Sequence, residues 1–133
     1  MNIKEGLLYT REHEWIAVDG DQGYVGITDY AQHQLGDIVF VEIPEIDLRI
    51  NLGESIAVIE SVKAAATVFS PVTGTVIKIN EELEESPELL NEEPYENYIA
   101  VLSINDKNEL IQLMNASDYA SFCRVLEEEG EEK

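Results

Sequence analysis

Cysteine, histidine and long apolar runs are all scarce in this chain. Its 133 residues contain one cysteine and two histidines, so neither an intrachain disulfide nor a thiolate metal cluster can form. No apolar stretch approaches the roughly 20 residues that a membrane-spanning helix needs, and the N-terminus shows neither the apolar core of a signal peptide nor an arginine-rich transit pattern. We therefore expect a protein of the reducing cytoplasm with no membrane partner.

Positive charge is equally scarce. Eight Lys and Arg residues stand against 28 Asp and Glu residues, which gives a formal net charge of −20. A surface of this sign repels phosphate backbones and anionic lipid headgroups, which argues against nucleic acid and membranes and favours basic protein surfaces as partners. The 44% hydrophobic and 27% charged content is typical of one folded domain of this length.

Motifs for a free-standing active site are also missing. The sequence contains no Gly-Lys-Ser phosphate loop, and Gly20, Gly23 and Gly26 fall in a predicted hairpin rather than between a strand and a helix. His13 lies beside Glu14, but the sequence offers no nucleophile at a recognisable elbow. The chain is therefore expected not to be an enzyme. Its reactive group would be attached covalently, and its partners would supply the catalysis.

Alternating apolar residues and turn signals predict a mainly β protein. Residues 14–18 and 24–28 flank a Gly-rich turn and predict an N-terminal hairpin. Residues 37–43, 75–79 and 98–104 predict further strands of the same kind.

Three helices are predicted from periodicity and capping signals. Residues 29–36 predict the first, with Asp29 as its N-cap and Gly36 at its end. Two further helices are expected near the C-terminus. The apolar stripe of the first consists of Leu110, Leu113 and Met114. That of the second consists of Tyr119, Phe122, Cys123 and Leu126. The acidic residues 127–133 predict a frayed tail.

Lys63 occupies the most informative position in the sequence. It lies within Glu60-Ser61-Val62-Lys63-Ala64-Ala65-Ala66, between β-like runs at residues 55–59 and 67–70. A hairpin that joins these runs places one cation at its tip among small side chains, where a modifying enzyme could reach it. The chain has only five lysines. Two interpretations stay open from spacing alone: an attachment point for a tethered cofactor and a solvated turn residue.

Six collinear segments carry a family resemblance. They are His13-Glu14-Trp15, residues 25–32, residues 35–42, Glu60-Ser61-Val62-Lys63-Ala64, residues 70–74 and residues 91–95. Collinear segments with consistent spacing are far more specific than a single motif. On these segments, which lie between residue 9 and about residue 123, the chain closely resembles the glycine cleavage H-protein family.

The resemblance implies a mainly β fold with flanking helices. The family fold is a barrel-sandwich hybrid of the lipoyl/biotinyl type, in which two antiparallel sheets present the lipoyl lysine at a hairpin tip, with an N-terminal hairpin and C-terminal helices. It implies one domain over residues 1–133, with residues 23–104 as the lipoyl-binding core, residues 105–126 as C-terminal helices and residues 127–133 as an acidic tail.

The resemblance also implies roles for Lys63 and its neighbours. Lys63 would carry lipoate covalently, since biotin carriers of the superfamily usually place Met on both sides of the lysine, whereas Val62 and Ala64 stand here. Glu60 matches the family's preference for an acid three residues before the lysine. Together with Val62 and Ala64, it would be recognised by the lipoate-attaching enzyme.

In the family a surface cleft shelters the loaded arm. The candidates for that cleft in this chain are His13, Glu14, Trp15 and Thr67. Glu14 would pair with a cationic amine, and Trp15 would line the wall, although core packing accounts for Trp15 equally well. Thr67 stands where many members have Asp, and a threonine cannot form that ion pair.

The implied function is that of a lipoyl carrier of the glycine cleavage system. The arm would take the aminomethyl group of glycine from the P protein (glycine decarboxylase) to the T protein (aminomethyltransferase), and the L protein (dihydrolipoyl dehydrogenase) would reoxidise it. A tether keeps such cargo at high effective concentration near each docked partner. Two alternatives stay open: an H-like lipoyl carrier for lipoyl relay or a heterodisulfide-reductase-like sulfur-oxidation system, and an unmodified acidic interaction domain.

Overall fold

Two antiparallel sheets dominate the computed structural model, which describes residues 1–131. The strands of the described chain are β1 Leu8–Tyr9, β2 Glu14–Asp19, β3 Gln22–Ile27, β4 Ile38–Glu42, β5 Arg49–Ile50, β6 Ser55–Ser61, β7 Ala65–Phe69, β8 Gly74–Ile79 and β9 Ala100–Ile104. One sheet has the order β1-β2-β3-β9-β8-β5, and the other has the order β4-β6-β7. The predicted mainly β fold is confirmed.

Short helices flank these sheets. They are α1 Asp29–Leu35, α2 Glu82–Glu85, α3 Leu89–Glu92, a 3₁₀ helix at Lys107–Gln112 and α4 Ala116–Glu131. Within residues 1–131, no helix combines the length and the apolar character that crossing a bilayer requires.

Both predicted hairpins are confirmed. β2 and β3 pair from Glu14 opposite Ile27 to Asp19 opposite Gln22. β6 and β7 also pair antiparallel, and their last pair before the tip is Glu60 opposite Ala65. The connection between β6 and β7 therefore consists of residues 62–64, with Lys63 at its centre.

The main core lies between the two sheets. Ile16 and Val25 of the larger sheet and Val41 and Ile59 of the smaller sheet have at most 1% of their surface exposed. Burying a side chain of this size stabilises the fold by about 1.5–3 kcal/mol. Because side chains alternate along a strand, burial of these residues forces their strand neighbours to face away from the core.

The N-cap of α1 is Thr28, one residue before the predicted Asp29. The Thr28 hydroxyl accepts a hydrogen bond from the Ala31 N–H at 3.2 Å. Asp29 instead begins the helix, where its carboxylate accepts the Asn2 N–H at 2.8 Å. Gly36 ends the helix as predicted, with a φ of 75°. Thr28 and Asp29 are both residue types that favour the N-cap position. The contact between Asp29 and Asn2, which are far apart in the sequence, could not be inferred from the local pattern.

The segment after β9 differs from the prediction. Lys107–Gln112 form a 3₁₀ helix rather than an α-helix, and Met114 pairs with Tyr9 through two backbone hydrogen bonds of 2.8 and 2.9 Å. This pairing with β1 draws the chain out of helical geometry before a full α-helix can form. The final helix is longer than predicted because residues 127–131 continue α4, beginning with three glutamates, which are good helix formers. The rest of the predicted frayed tail, residues 132–133, lies outside the described residues.

Helix α4 packs its predicted apolar stripe against the N-terminal hairpin. Tyr119 and Cys123 are buried, and the Tyr119 ring stacks on Tyr9 with 4.5 Å between centroids. The Tyr119 hydroxyl lies 2.7 Å from the Thr28 hydroxyl and 2.8 Å from His13 Nδ1. Burial raises the pKa of Tyr119 and lowers that of His13, so a neutral phenol can donate to a neutral imidazole.

Replacement of Tyr119 by Phe tests this packing. Tyr119→Phe leaves the Thr28 hydroxyl and His13 Nδ1 without their shared partner, so the free energy of unfolding should fall by about 1–3 kcal/mol in urea titrations. The matched control is Tyr24→Phe, whose ring makes an edge-on contact with Tyr98 at 5.4 Å. Equal losses in the two variants would contradict the role assigned to the Tyr119 hydroxyl.

Candidate functional site

Lys63 lies exposed at a tip that is held by its own hydrogen bonds. The Ser61 N–H donates to the Ala64 carbonyl at 2.7 Å, and the Ser61 hydroxyl oxygen accepts from the Ala64 N–H at 3.1 Å and the Lys63 N–H at 3.3 Å. The Val62 N–H donates to the Asp37 carbonyl at 2.9 Å. The tip is therefore tied both to itself and to the start of β4, so it presents Lys63 on a fixed base.

The Lys63 side chain is unencumbered. Its stem lies over Gly36, where an added Cβ would come within 3.4 Å of Lys63 Cε. The ion pairs among residues 1–131 join Lys4 to Glu96, His33 to Asp29 and Lys107 to Asp21. None of them involves Lys63, so its ammonium group faces no carboxylate within 4 Å in the described chain.

Strand register places several predicted residues on the outer face of the three-stranded sheet. Across this face, Phe40, Glu60 and Ala65 form one row, and Glu42, Val58 and Thr67 form the next. Glu60 and Thr67 are exposed there, and Val62 and Ala64 are exposed at the tip. The structure thus brings the three predicted recognition residues, Glu60, Val62 and Ala64, around Lys63.

Glu14 is a buried carboxylate, with 2% of its surface exposed. Its Oε1 accepts the Thr10 hydroxyl at 2.5 Å, and its Oε2 accepts the Phe69 N–H at 2.9 Å. Burial raises the pKa of Glu14 to about 7, with a further small contribution from the negative charge of Glu12, while the hydrogen bonds from Thr10 and Phe69 oppose the shift. The side chain can therefore be neutral or charged near physiological pH, depending on what lies beside it.

Glu14 lines a cleft of about 380 Å³. Its other walls include Thr10, Glu12, Phe69, Pro71, Glu109 and Met114. Strand β7 connects this cleft to the tip, because Phe69 is the last residue of the strand that begins two residues after Lys63. The strand is about 13 Å long at 3.3 Å per residue.

The other predicted cleft residues lie elsewhere. His13 stacks on Tyr30 with 4.3 Å between centroids, beneath α4. Trp15 is 3% exposed and donates its indole N–H to the Pro94 carbonyl at 3.1 Å, so in this structure it is a core residue. Alternation along β2 separates Trp15 from Glu14, since consecutive side chains leave a strand on opposite faces, whereas His13 precedes the strand and has a positive φ of 69°.

Thr67 is exposed on the outer face of β7 and is not among the residues that line the Glu14 cleft. Sequence reasoning did not find Thr10, Phe69 or Glu109 at the cleft. The Thr73 N–H and hydroxyl bind the Glu109 carboxylate at 2.7 and 2.8 Å. These residues come together only through tertiary contacts, and no local motif marks them.

Among residues 1–131, no group of His, Cys, Asp and Glu side chains has the arrangement of a metal site. The described fold presents the Lys63 amine at the tip of the β6–β7 hairpin, which belongs to one of the two packed antiparallel sheets. This combination defines the barrel-sandwich class of lipoyl and biotinyl carrier domains.

Comparisons with known proteins agree on one family. The family model described as "Glycine cleavage H-protein" matches residues 7–126. The chain is 54% identical over 124 residues to a glycine cleavage system H protein of Syntrophomonas wolfei, which covers 93% of this chain and 95% of that protein. It is 50% identical over 123 residues to the Alkaliphilus oremlandii protein of the same name, with 92% and 97% covered.

A solved structure gives the same result. The crystal structure of a glycine cleavage system H protein from Mycobacterium marinum superposes with a TM-score of 0.82 at 31% identity, covering 90% of this chain and 97% of that one. The chain belongs to the glycine cleavage H-protein family. Membership confirms the resemblance inferred from the sequence and supports the role of a lipoyl carrier.

The buried carboxylate predicts a pH-dependent stability. Between pH 4.5 and about 7, folded Glu14 keeps a proton that the unfolded chain releases, so this residue lowers the free energy of unfolding as pH rises through that window. Glu14→Gln removes this dependence. Between pH 4.5 and pH 8, the wild type should therefore lose about 3 kcal/mol more than the variant.

Urea titrations of both proteins at several pH values measure this difference. Subtracting one profile from the other cancels the contribution of the remaining acidic residues. Glu45→Gln, at an exposed position outside the cleft, should run parallel to the wild type. If the Glu14→Gln profile also ran parallel, Glu14 would not have the raised pKa that its burial implies.

Proposed function

We propose that this chain is the lipoyl carrier of a glycine cleavage system, with lipoate joined to Lys63 through an amide. It receives the aminomethyl group of glycine at the P protein, delivers it at the T protein and is reoxidised at the L protein. The observation that carries the proposal is the exposed Lys63 ammonium group on a hydrogen-bonded hairpin tip, with no ion-pair partner among residues 1–131. The carrier itself is not catalytic, because its partners hold the groups that make and break bonds.

The residues around Lys63 fit a bulky acyl group. Ser61, Ala64 and Ala65 have small side chains, so an acylated lysine meets no steric obstacle at the tip. When bound, lipoate supplies a dithiolane that can be opened to accept a one-carbon group. We assign recognition by the lipoate-attaching enzyme to Glu60, Val62 and Ala64, which are exposed on and beside the hairpin.

Glu14 is the residue of the cleft best suited to hold a cationic amine. Its carboxylate is buried, receives only neutral hydrogen-bond donors and has a pKa near 7. An adjacent ammonium group would favour the charged form, because opposite charges attract strongly where water is excluded. Phe69, Pro71 and Met114 supply apolar wall on the same side, which limits the access of water to a bound group.

His13, Trp15 and Thr67 enter this proposal in other ways. His13, just before β2, and Trp15, within it, are anchored through Tyr119 and Pro94 respectively, and so hold Glu14 toward the cleft. Thr67 lies on the outer face of the sheet and would meet docked partners there.

We retain residues 23–104 as the lipoyl-binding core within the single domain, and location in the cytoplasm stays a prediction.

Lipoylation of Lys63 is the first test. Incubation of the full chain with a lipoate ligase, ATP and lipoate should add one lipoyl mass to the wild type and to Lys78→Arg, and none to Lys63→Arg. Lys78 is a suitable control because it is also an exposed strand lysine. An unmodified wild type, or a modified Lys63→Arg variant, would refute the carrier role.

Glycine–bicarbonate exchange with a glycine decarboxylase then distinguishes glycine cleavage from relay or sulfur oxidation.

The role of Glu14 has its own test. If its carboxylate holds the amine of the loaded arm, Glu14→Ala should release formaldehyde roughly tenfold faster than the wild type, since a charge-assisted hydrogen bond is lost. Glu14→Gln should be intermediate, because it keeps the shape of the side chain without the charge. Glu60→Gln removes an acid on the exposed sheet face and should leave the decay unchanged. Identical decay in all four proteins would reject the assignment.

A further inference from the structure

Three large apolar side chains are exposed beside Lys63. Val39 is 55% exposed, Phe40 is 47% exposed and Val62 is 69% exposed. Val62 directly precedes Lys63, and its N–H binds the residue just before β4 at 2.9 Å. We call Val39, Phe40 and Val62 the tip patch. Its position next to the modifiable amine distinguishes it from scattered surface hydrophobics.

A β-bulge exposes two of the three residues of this patch, Val39 and Phe40. The pairing of β4 with β6 shifts between Ile38, opposite Ser61, and Phe40, opposite Glu60. Val39 is the extra residue, so Val39 and Phe40 are both exposed, although strict alternation would bury one of them. β4 is also an edge strand. An exposed Phe and Val on a sheet edge favour unwanted association unless a partner uses them.

The rim of the tip patch is acidic. Asp37, Glu42 and Glu60 are exposed around it, and Glu60 lies directly opposite Phe40 in the sheet. A complementary partner therefore has an apolar socket bordered by Lys or Arg side chains.

The lipoate-attaching enzyme must distinguish Lys63 from the other lysines, and this requirement indicates that it is the partner that uses the tip patch. Of the two residues that flank Lys63, Ala64 offers only a methyl group, whereas Val62 belongs to the tip patch. Other described lysines already have neighbours of their own: Lys4 pairs with Glu96 at 3.7 Å, Lys107 pairs with Asp21 at 3.2 Å, and Lys78 lies over the Tyr98 ring. An enzyme that modifies only Lys63 must therefore contact a feature found beside that residue.

We propose that the tip patch is the docking anchor for the lipoate-attaching enzyme, which seats Phe40 in an apolar socket with a basic rim. The inference rests on the proposed lipoylation of Lys63. Phe40 provides buried contact area, Val39 and Val62 exclude water around it, and the carboxylates orient the enzyme. Burial of one aromatic anchor at the centre of a small interface is the usual source of most binding energy.

Steady-state lipoylation of the full apo chain tests the proposal. Phe40→Ser should lower kcat/KM for lipoyl transfer by about tenfold or more, chiefly through KM, and Phe40→Leu should retain most of the wild-type value. The matched control is Ile46→Ser, which removes an apolar side chain of 51% exposure from the loop beyond the far end of β4. KM should rise with salt for the wild type and Phe40→Ser alike, and less steeply for Glu42→Gln.

The outcomes separate this inference from the proposed function. If the wild type is lipoylated on Lys63 and Phe40→Ser has the same kcat/KM for lipoyl transfer, the docking role is wrong while the carrier role stands. The docking role is also wrong if Ile46→Ser lowers kcat/KM for lipoyl transfer as much as Phe40→Ser does. It is likewise wrong if Phe40→Ser slows only the reactions with the P, T or L proteins. If wild-type Lys63 is never modified, the proposed function fails first. Circular dichroism checks that Phe40→Ser folds, and Val39→Ser at the bulge supplies an independent variant.

Discussion

The register of the three-stranded sheet is the constraint on which the site depends. Val41 pairs with Ile59 on the inner face, and Phe40 pairs with Glu60 on the outer face. A slip of one residue would exchange the two faces, exposing the core set and burying a carboxylate. The same register centres the β6–β7 connection on Lys63. Burial of ordinary aliphatic side chains therefore determines where the amine stands and which side chains surround it.

The buried carboxylate of Glu14 opposes stability and so points to function. A protonated or hydrogen-bonded acid in this position adds little to the fold, and its charged form is disfavoured by burial. Its hydrogen bond from the Phe69 N–H does join the N-terminal hairpin to the end of β7. An amide side chain could make that contact without a charge. Groups with strongly shifted pKa values in clefts are often retained for the chemistry that they serve.

Much of the fold and the exposed position of Lys63 at a hairpin tip could be predicted from the sequence, because both depend on local patterns. Alternation and turn residues marked the hairpins, and small residues around Lys63 marked an accessible tip. The features that escaped prediction depend on contacts between distant segments. The backbone pairing of Tyr9 with Met114 replaced a predicted helix with a 3₁₀ turn. Phe69 at the end of β7 reaches Glu14 of β2 through a contact between the two sheets.

The exposure of Phe40 also could not be inferred from the sequence. The pattern Ile38-Val39-Phe40-Val41 suggests a buried strand, and only the bulge against β6 turns two of these residues outward. Likewise, Trp15 is buried because its face of β2 packs against Tyr95 and Tyr119 rather than against the second sheet, and Thr67 is exposed because its face of β7 points to solvent. A sequence pattern indicates that a strand has two faces, but the packing partner decides which face becomes the surface.

Charge and apolar contact have complementary roles in a carrier that must visit several partners. A net charge of −20 attracts basic surfaces over distances up to about a Debye length and speeds association. Such attraction is screened by salt and adds little to the lifetime of a complex. A patch of three apolar side chains is large enough to set orientation, yet small compared with the interfaces of permanent complexes. A modest anchor keeps dissociation rapid even where charge makes association fast, so a complex formed through the tip patch is expected to be short-lived.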